Sequence, residues 1–109
     1  MLDDAQQAVL LLGIEDRCGL WEITRERALY EKPRDQQIQL AGTALKALVA
    51  QGLVRVFRRR EEDVEIGPEE LERVLLNPSS WCVPEPGSMS ICFETTPSGA
   101  EIYWETVEQ

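Results

Sequence analysis

The chain has 109 residues, of which 43% are hydrophobic, and its 20 acidic and 11 basic side chains give a formal net charge of −9 at neutral pH. A chain of this length buries about 65% of its unfolded surface, so we expect one globular domain over residues 1–109. The absence of histidine excludes Ser/His/Asp triads, Cys/His pairs and histidine metal ligands.

The first two predicted elements are helices. Asp4 and Gln7 have the spacing of a capping box, and apolar residues follow at helical intervals, so the first helix is expected over residues 4–16. Residues 15–19 are typical of a loop. A second helix is expected over residues 20–31, and a proline shortly after it disfavours the helical region for the residue before that proline.

The third predicted helix carries an apolar stripe and leads into a strand. Asp35 is placed to cap this helix, and Gly52 to end it, because glycine readily adopts the positive φ of a helix C-terminus. Residues 53–58 alternate apolar side chains with arginine, which is the pattern of a half-buried strand. The apolar stripe consists of Ile38, Ala41, Leu45, Leu48 and Val49.

The second half of the chain is expected to hold a short helix, a strand and a last helix. Residues 61–67 are acidic and are predicted to break the preceding strand. Pro68 suits the first position of a short helix, and residues 77–88 have the proline content of a loop. Residues 88–94 alternate as a second strand, and a final helix is expected to start at Pro97.

The predicted order is three helices, strand, short helix, strand and helix, which is an α+β protein. Three helices followed by a two-stranded ribbon is the winged-helix arrangement. Because two strands alone are marginal in water, the ribbon is expected to pack on the helices. The alternative fold is a helical bundle with a mobile acidic insertion.

Two segments resemble winged helix-turn-helix regulators of the MarR and PadR type. Residues 45–56 (LKALVAQGLVRV) are similar to the junction between the recognition helix and the wing, and residues 93–99 (FETTPSG) to the strand-to-helix passage after the wing. The resemblance implies a winged helix that binds DNA and regulates transcription. The chain departs from that pattern in the thirty or so residues between its two predicted strands, and in the ten that follow Gly99.

The third helix and the root of the wing hold the candidate DNA-binding residues. The third helix of a helix-turn-helix enters the major groove, where glutamine pairs with adenine and arginine or lysine with guanine. Arginines at the wing root would hold phosphates. The alternative is a solvated helix face and edge-strand arginines that prevent aggregation. The candidates for double-stranded DNA are Arg34, Gln36, Gln37, Gln39, Thr43 and Lys46 on the helix and Arg58, Arg59 and Arg60 at the wing.

Three aromatic residues, Trp81, Tyr103 and Trp104, are candidates for a protein interface. Tryptophan and tyrosine dominate binding hot spots, so a protein–protein interaction or adaptor module is the alternative to DNA binding. Trp21 and Trp104 are nevertheless expected in the core, whereas Trp81, in its proline-rich loop, is expected to be exposed or to cover the core. The last helix is the expected surface of a weak homodimer if the protein binds DNA, and a monomer or heteromer is expected if it does not.

The charges are unevenly divided along the chain. Residues 1–60 carry ten basic and eight acidic side chains, whereas residues 61–109 carry one basic and twelve acidic side chains. Acidic side chains at this density repel one another and any nearby phosphate backbone. We therefore expect residues 61–76 to lie on the face away from the DNA-binding candidates of the third helix, either bare or against a basic protein partner.

No catalytic, metal or cofactor site is predicted. Cys18, Cys82 and Cys92 form no CxxC pair and are expected to be thiols in a reduced cytoplasm. Adjacent glutamates do not converge on a substrate as acid–base catalysis requires, and neither GxGxxG nor GxxxxGK occurs, so an enzyme is not expected. No apolar run reaches about 18 residues and the first residues are acidic, unlike a secretory signal, so we expect a cytoplasmic protein without membrane contact.

Overall fold

The computed structural model describes residues 2–59 and 61–108. Within these ranges the chain is an α+β protein with five α-helices, a 3-10 turn and one four-stranded antiparallel sheet, which confirms the predicted fold class. None of the described helices is both long and apolar enough to cross a membrane. In chain order the elements are α1 (Asp4–Glu15), β1 (Cys18–Gly19), α2 (Leu20–Ile23), α3 (Arg34–Ala50), β2 (Val54–Arg59), β3 (Asp63–Glu65), α4 (Pro68–Leu76), the 3-10 turn (Pro78–Trp81), β4 (Ser90–Thr95) and α5 (Pro97–Val107).

The sheet has the strand order β1-β4-β2-β3, and each neighbouring pair is antiparallel. β4 lies in its interior and pairs with β2 along its whole length, from Val54 opposite Thr95 to Arg59 opposite Ser90. Phe93 of β4 is fully buried in the hydrophobic core. The predicted pairing of these two strands is therefore confirmed, but the sheet has four strands and not the two predicted.

The hydrophobic core brings the sheet together with all five described helices and the 3-10 turn. One side of α3 is buried in this core. The short amphipathic helix α4 packs beside α3 and buries its own apolar side. The most deeply buried large side chains are Val9, Leu10, Leu20, Ile23, Leu29, Leu45, Leu48, Val54, Val56, Trp81 and Phe93.

β2 ends at Arg59, before the acidic segment, as predicted, but that segment also forms the strand β3, which was not predicted. β3 pairs with β2 as a hairpin, with Arg59 opposite Asp63 and Phe57 opposite Glu65. Cross-strand attraction explains this pairing, because Nε of Arg55 lies 3.0 Å from the carboxylate of Glu65 and Nε of Arg59 lies 3.5 Å from that of Asp63. Glu65 and Asp63 of the acidic segment thus offset the charges of Arg55 and Arg59 on β2.

α1 begins with a capping box one residue earlier than predicted. The carboxylate of Asp3 accepts a 2.8 Å hydrogen bond from the backbone N–H of Gln6, whose side chain accepts one of 3.0 Å from the N–H of Asp3. After the helix, residues 18–19 were expected in a loop. They pair instead with β4 as the edge strand β1.

α2 is much shorter than the helix predicted over residues 20–31. It ends at Ile23, and residues 24–32 form a succession of turns and bends. Ile23 and Leu29 are both buried, with 0% and 1% of their surface exposed. In a continuous helix six residues would place them about 120° apart around the axis. The break after Ile23 lets both side chains enter the core.

α3 matches the predicted third helix but begins before the residue expected to cap it. Pro33 occupies the N-cap position and Asp35 lies in the first turn, where a carboxylate is stabilised by the positive end of the helix dipole. Gly52 follows the helix with a φ of +73°, a conformation that glycine adopts at little cost. The predicted role of Gly52 at this helix end is confirmed.

α5 begins at Pro97, as predicted, and its first turn is held against the end of α3. The Thr96 hydroxyl donates a 2.8 Å hydrogen bond to the carbonyl of Gly52 and accepts one of 3.1 Å from the N–H of Gly99. Gly99 lies so close to the carbonyl of Leu53 that a Cβ atom there would overlap it. The passage from β4 to α5 is therefore fixed by backbone contact.

Candidate functional site

Four of the predicted DNA-binding residues form one stripe on α3. Gln36, Gln39, Thr43 and Lys46 are all exposed, and separations of three, four and three residues place them on one side of the helix. Their amide, hydroxyl and ammonium groups are free to meet a partner. We call these four residues the α3 stripe.

Gln37 was expected on the same exposed face, and that expectation is wrong. Only 9% of its surface is exposed, and its amide nitrogen donates to the carbonyl of Leu29 at 3.1 Å and to that of Tyr30 at 3.0 Å. These carbonyls belong to the turns after α2, where the Leu29 carbonyl also accepts a hydrogen bond from the backbone N–H of Lys32. Gln37 therefore holds the α2–α3 connection and does not face a ligand.

Arg34 also serves the fold. Its guanidinium donates a 2.8 Å hydrogen bond to the carbonyl of Trp81 and a 3.2 Å hydrogen bond to the hydroxyl of Thr24. It thus ties the start of α3 to the 3-10 turn and to the end of α2. These contacts compete with any phosphate or base edge for the guanidinium donors.

The arginines at the wing root pair with the acids of the following segment. Arg58 lies 3.1 Å from the carboxylate of Glu70, and Arg59 lies 3.5 Å from that of Asp63. The third predicted phosphate contact, Arg60, lies outside the described residues. Phosphate binding at Arg58 and Arg59 would have to displace these carboxylates.

Arg17 was not singled out by the sequence, yet it joins three strands. Its guanidinium pairs with the carboxylate of Asp63 on β3 and with that of Glu94 on β4, the latter at 2.9 Å. It also lies over the Phe57 ring of β2, with Cζ 4.2 Å from the ring centroid, a geometry typical of cation–π attraction. The opposite charges of β2 and residues 61–65 indicate that these two segments pair with each other. No sequence pattern indicated that Arg17 would join them.

α4 lies beside α3 and forms a groove along one edge of the α3 stripe. Gln39, Thr43 and Lys46 line one wall of this groove, whose volume is about 320 Å³. Glu72 and Leu76 of α4 line the opposite wall. We call it the α3–α4 groove.

The position of α4 contradicts, at Glu72, the expectation that the acidic residues 61–76 all face away from the third helix. Leu71, Val74 and Leu75 form the buried side of α4, and the core surface available to that side is next to α3. The two helices pack at Gly42 of α3, where an added Cβ would lie 3.9 Å from the Leu75 Cβ, an ordinary van der Waals distance. Burial of the apolar side of α4 thus brings its acidic residue Glu72 up to the α3 stripe.

A second groove, of about 540 Å³, borders the other edge of the α3 stripe. Gln36 and Gln39 line it on α3, and Asp3 and Asp4 line it at the start of α1. Lys32 contributes the basic side chain of this groove. Carboxylates therefore flank the α3 stripe on both sides.

The aromatic candidates are placed differently from the prediction. Trp81 is 1% exposed and covers the core, which is one of the two predicted outcomes. Trp104 was expected in the core but is 48% exposed, while Tyr103 beside it is buried and meets it edge to face, with ring centroids 5.1 Å apart. Trp21 is partly buried and carries the Arg25 guanidinium 4.7 Å from its ring centroid.

The three thiols are free and differ in environment. Cys18 and Cys92 are buried, and burial raises the pKa of both, that of Cys18 to about 11 with additional repulsion from Glu22. Cys82 is exposed. In the described parts of the chain, no three side chains of the metal-ligating types cluster as a metal site would require.

Comparison with protein-family models, curated proteins and solved structures finds no match to this chain. The candidate site consists of the α3 stripe and the two grooves beside it. It offers a hydrogen-bonding stripe, apolar groove walls and an excess of carboxylates. Such a surface suits recognition of a ligand with basic groups.

Proposed function

We propose that this chain is a winged-helix-type protein-interaction module whose α3 surface binds a basic segment of another protein. The order of α1, α2 and α3 followed by the paired strands β2 and β4 supports the winged-helix interpretation. In that interpretation α3 is the recognition helix, and β3 and α4 are inserted between the two principal strands of the wing.

The observation that carries the proposal is the acidic frame of the α3 stripe. Asp35 and Glu72 line the α3–α4 groove, and Asp3 and Asp4 line the groove on the other side, against one lysine in each. Phosphate binding depends on neutralisation by lysine and arginine. The negative field of these carboxylates repels DNA and attracts lysine or arginine side chains.

The groove walls also suit a peptide chemically. Ile38 and Leu76 give the α3–α4 groove apolar surface, against which the methylene groups of lysine or arginine can pack. Gln39 and Thr43 supply side-chain hydrogen-bonding groups between the two grooves. A basic extended segment would therefore find charge, apolar contact and hydrogen bonds on one surface.

The test compares a labelled Arg/Ser repeat peptide with a labelled random-sequence DNA duplex by fluorescence anisotropy at low salt. We expect the peptide to bind and the duplex not to bind. The Asp35→Asn/Glu72→Gln variant should weaken peptide binding by about tenfold. Glu61→Gln/Glu62→Gln makes the same change in net charge on exposed residues and should have a smaller effect. Equal losses for the two variants would contradict the proposal.

DNA binding is the second candidate function, and the alignment of the α3 stripe favours it. Glutamine and lysine on one exposed helix side are the residues that read base edges in the major groove. This function predicts duplex binding that Lys46→Ala and Gln39→Ala weaken and that Asp35→Asn/Glu72→Gln strengthens. Because the double variant shifts the two functions in opposite directions, one set of proteins separates them.

A further inference from the structure

α5 presents an exposed tryptophan in a frame of carboxylates. Trp104 and Val107 are 48% and 44% exposed and lie three residues apart. Glu101 precedes Trp104 by three residues, and Glu108 follows it by four, so both are its neighbours on the helix surface. Both glutamates are exposed. We call this group the Trp104 patch.

The helix beside α5 is also apolar beyond its buried side. α1 packs against α5, and its Val9 and Leu10 are fully buried. Leu11 and Ile14 are only partly buried. α1 therefore adds only partly exposed apolar side chains beside α5.

The charges on α1 and α5 indicate which kind of partner would cover the Trp104 patch. Residues 4–15 and 97–107 contain acidic side chains and no lysine or arginine. A symmetric contact between two copies would place the same carboxylates opposite each other, and like charges at an interface oppose association. A basic partner would instead pair with Glu101 and Glu108, and an arginine or lysine over the Trp104 ring would gain cation–π attraction.

We infer that the Trp104 patch is a docking site for a basic amphipathic helix of another protein. The apolar side of that helix would contact Trp104 and Val107, and its lysines or arginines would meet Glu101 and Glu108. Exposed tryptophan is the residue most often found as an interface anchor. This site is separate from the α3 stripe and does not depend on the function proposed for α3.

The probe is a synthetic peptide of about 18 residues, long enough to form a helix, with leucines on one side and lysines and arginines on the other. A scrambled peptide of the same composition, which has no apolar side, is the control ligand. Binding is measured by isothermal titration calorimetry on the full chain. We expect the amphipathic peptide to bind and the scrambled one to bind at least about tenfold more weakly.

Protein variants then assign the binding to the patch. Trp104→Ala should weaken binding by about tenfold or more, and Glu101→Gln/Glu108→Gln should weaken it less and reduce its salt dependence. Val83→Ala removes another exposed apolar side chain, 56% exposed in the loop before β4, and should leave binding unchanged. Circular dichroism of each variant checks that the fold is retained.

Two results would overturn the inference. One is unchanged peptide affinity in Trp104→Ala with its fold intact. The other is a homodimer in sedimentation velocity that Trp104→Ala dissociates, because the patch would then bind a second copy. If the first result came with loss of binding in Asp35→Asn/Glu72→Gln, the peptide would lie in the α3–α4 groove, and the proposed function would still stand.

Discussion

The indole Nε1 of Trp81 donates a 2.9 Å hydrogen bond to the carbonyl of Leu75. Trp81 is almost fully buried, and Leu75 lies in the last turn of α4. The bond therefore ties the C-terminal end of α4 to the core and satisfies one of the carbonyls that a helix end leaves without a partner. The same contact keeps Glu72 beside the α3 stripe, so it links packing to the charge of the candidate site.

Replacement of Trp81 should destabilise the protein in two graded steps. Trp81→Phe keeps an aromatic ring but leaves the Leu75 carbonyl unpaired, and we expect a loss of about 1–3 kcal/mol in the free energy of unfolding. Trp81→Ala also opens a cavity and should lose about 3–5 kcal/mol. Urea denaturation followed by far-UV circular dichroism measures both losses.

Trp104→Ala is the matched control, because Trp104 is 48% exposed. Its loss should be below about 1 kcal/mol. If Trp104→Ala destabilised the protein as much as Trp81→Ala, the assignment of Trp81 to the core and of Trp104 to the surface would be wrong.

The long elements could be predicted because each buries a regularly spaced set of side chains. α3 and β4 follow helical and alternating patterns, respectively, and the structure has both within about two residues of the predicted bounds. β1 and β3 have two and three residues, too few to show a period. Val64 in the middle of β3 is 57% exposed, so hydrophobicity gave no signal there.

The candidate site could be predicted only where neighbours in the chain decide exposure. The α3 stripe follows from helix geometry alone. Gln37 is buried where the turns after α2 bring carbonyls seven and eight residues away within reach of its amide, and Arg34 is engaged because Trp81, 47 residues away, turns its carbonyl toward it. Which aromatic residue enters the core depends likewise on contacts between distant segments, so Trp104 was misplaced.

Gly99→Ala should destabilise the protein although it adds only one methyl group. The added Cβ would overlap the carbonyl of Leu53, and backbone atoms cannot move aside as a flexible side chain can. We expect a loss of about 1–3 kcal/mol, measured by urea denaturation. Gly67→Ser is the control, since nothing lies within 4 Å of a Cβ there and serine is a favoured N-cap residue.

A stable Gly99→Ala variant would show that the end of α3 and the start of α5 can separate. Thr96 joins the same two segments by its hydroxyl and also caps α5, so Thr96→Val should still lose the stability that this cap gives. Gly99→Ala and Thr96→Val therefore both test this junction. Gly67→Ser shows whether an added atom at any glycine would destabilise the protein.

Arg17→Met should loosen the β2–β3 hairpin. The substitution removes the ion pairs to Asp63 and Glu94 and the contact of the guanidinium with Phe57, while it keeps most of the aliphatic length. The side chains of this cluster are about 30% exposed or less, and we expect a loss of about 1–2 kcal/mol at low salt. The loss should shrink as salt screens the charges.

Hydrogen exchange locates the effect of Arg17→Met. The amides of residues 63–66 should exchange faster than in the unaltered protein, while those of β4 opposite β2 should change less. Arg27→Met, at an exposed arginine outside the ion pairs of the described residues, is the control. Unchanged exchange in β3 would show that Arg17 does not hold the hairpin.

The thiols provide a check on the placement of β1 and β4. Of the three, only Cys82 is exposed, whereas Cys18 and Cys92 are buried with raised pKa values. The thiolate is the reactive form, so at pH 8 one thiol per folded chain should react rapidly with a disulfide reagent, and all three should react in denaturant. In Cys82→Ser the rapid reaction should disappear; a second rapid thiol would contradict the burial of β1 or β4.

The raised pKa of Cys18 also predicts how stability changes at high pH. Burial, followed by repulsion from Glu22, shifts this pKa from its ordinary value of 9.0 to about 11, so the folded chain holds the thiol proton more tightly than the unfolded chain. Since the unfolded chain binds fewer protons between these values, stability falls as pH rises through this window. The contribution is fully present below pH 9 and is lost progressively from about pH 9 to pH 11.

Cys18→Ala isolates this effect from other groups that titrate at high pH. We expect the free energy of unfolding of the unaltered protein to fall more steeply between pH 9 and pH 11 than that of the variant, as measured by urea denaturation at each pH. Cys82→Ala, at the exposed thiol, should follow the unaltered protein. Parallel curves for the unaltered protein and Cys18→Ala would mean that Cys18 titrates alike in the folded and unfolded chains, and hence that β1 does not bury it.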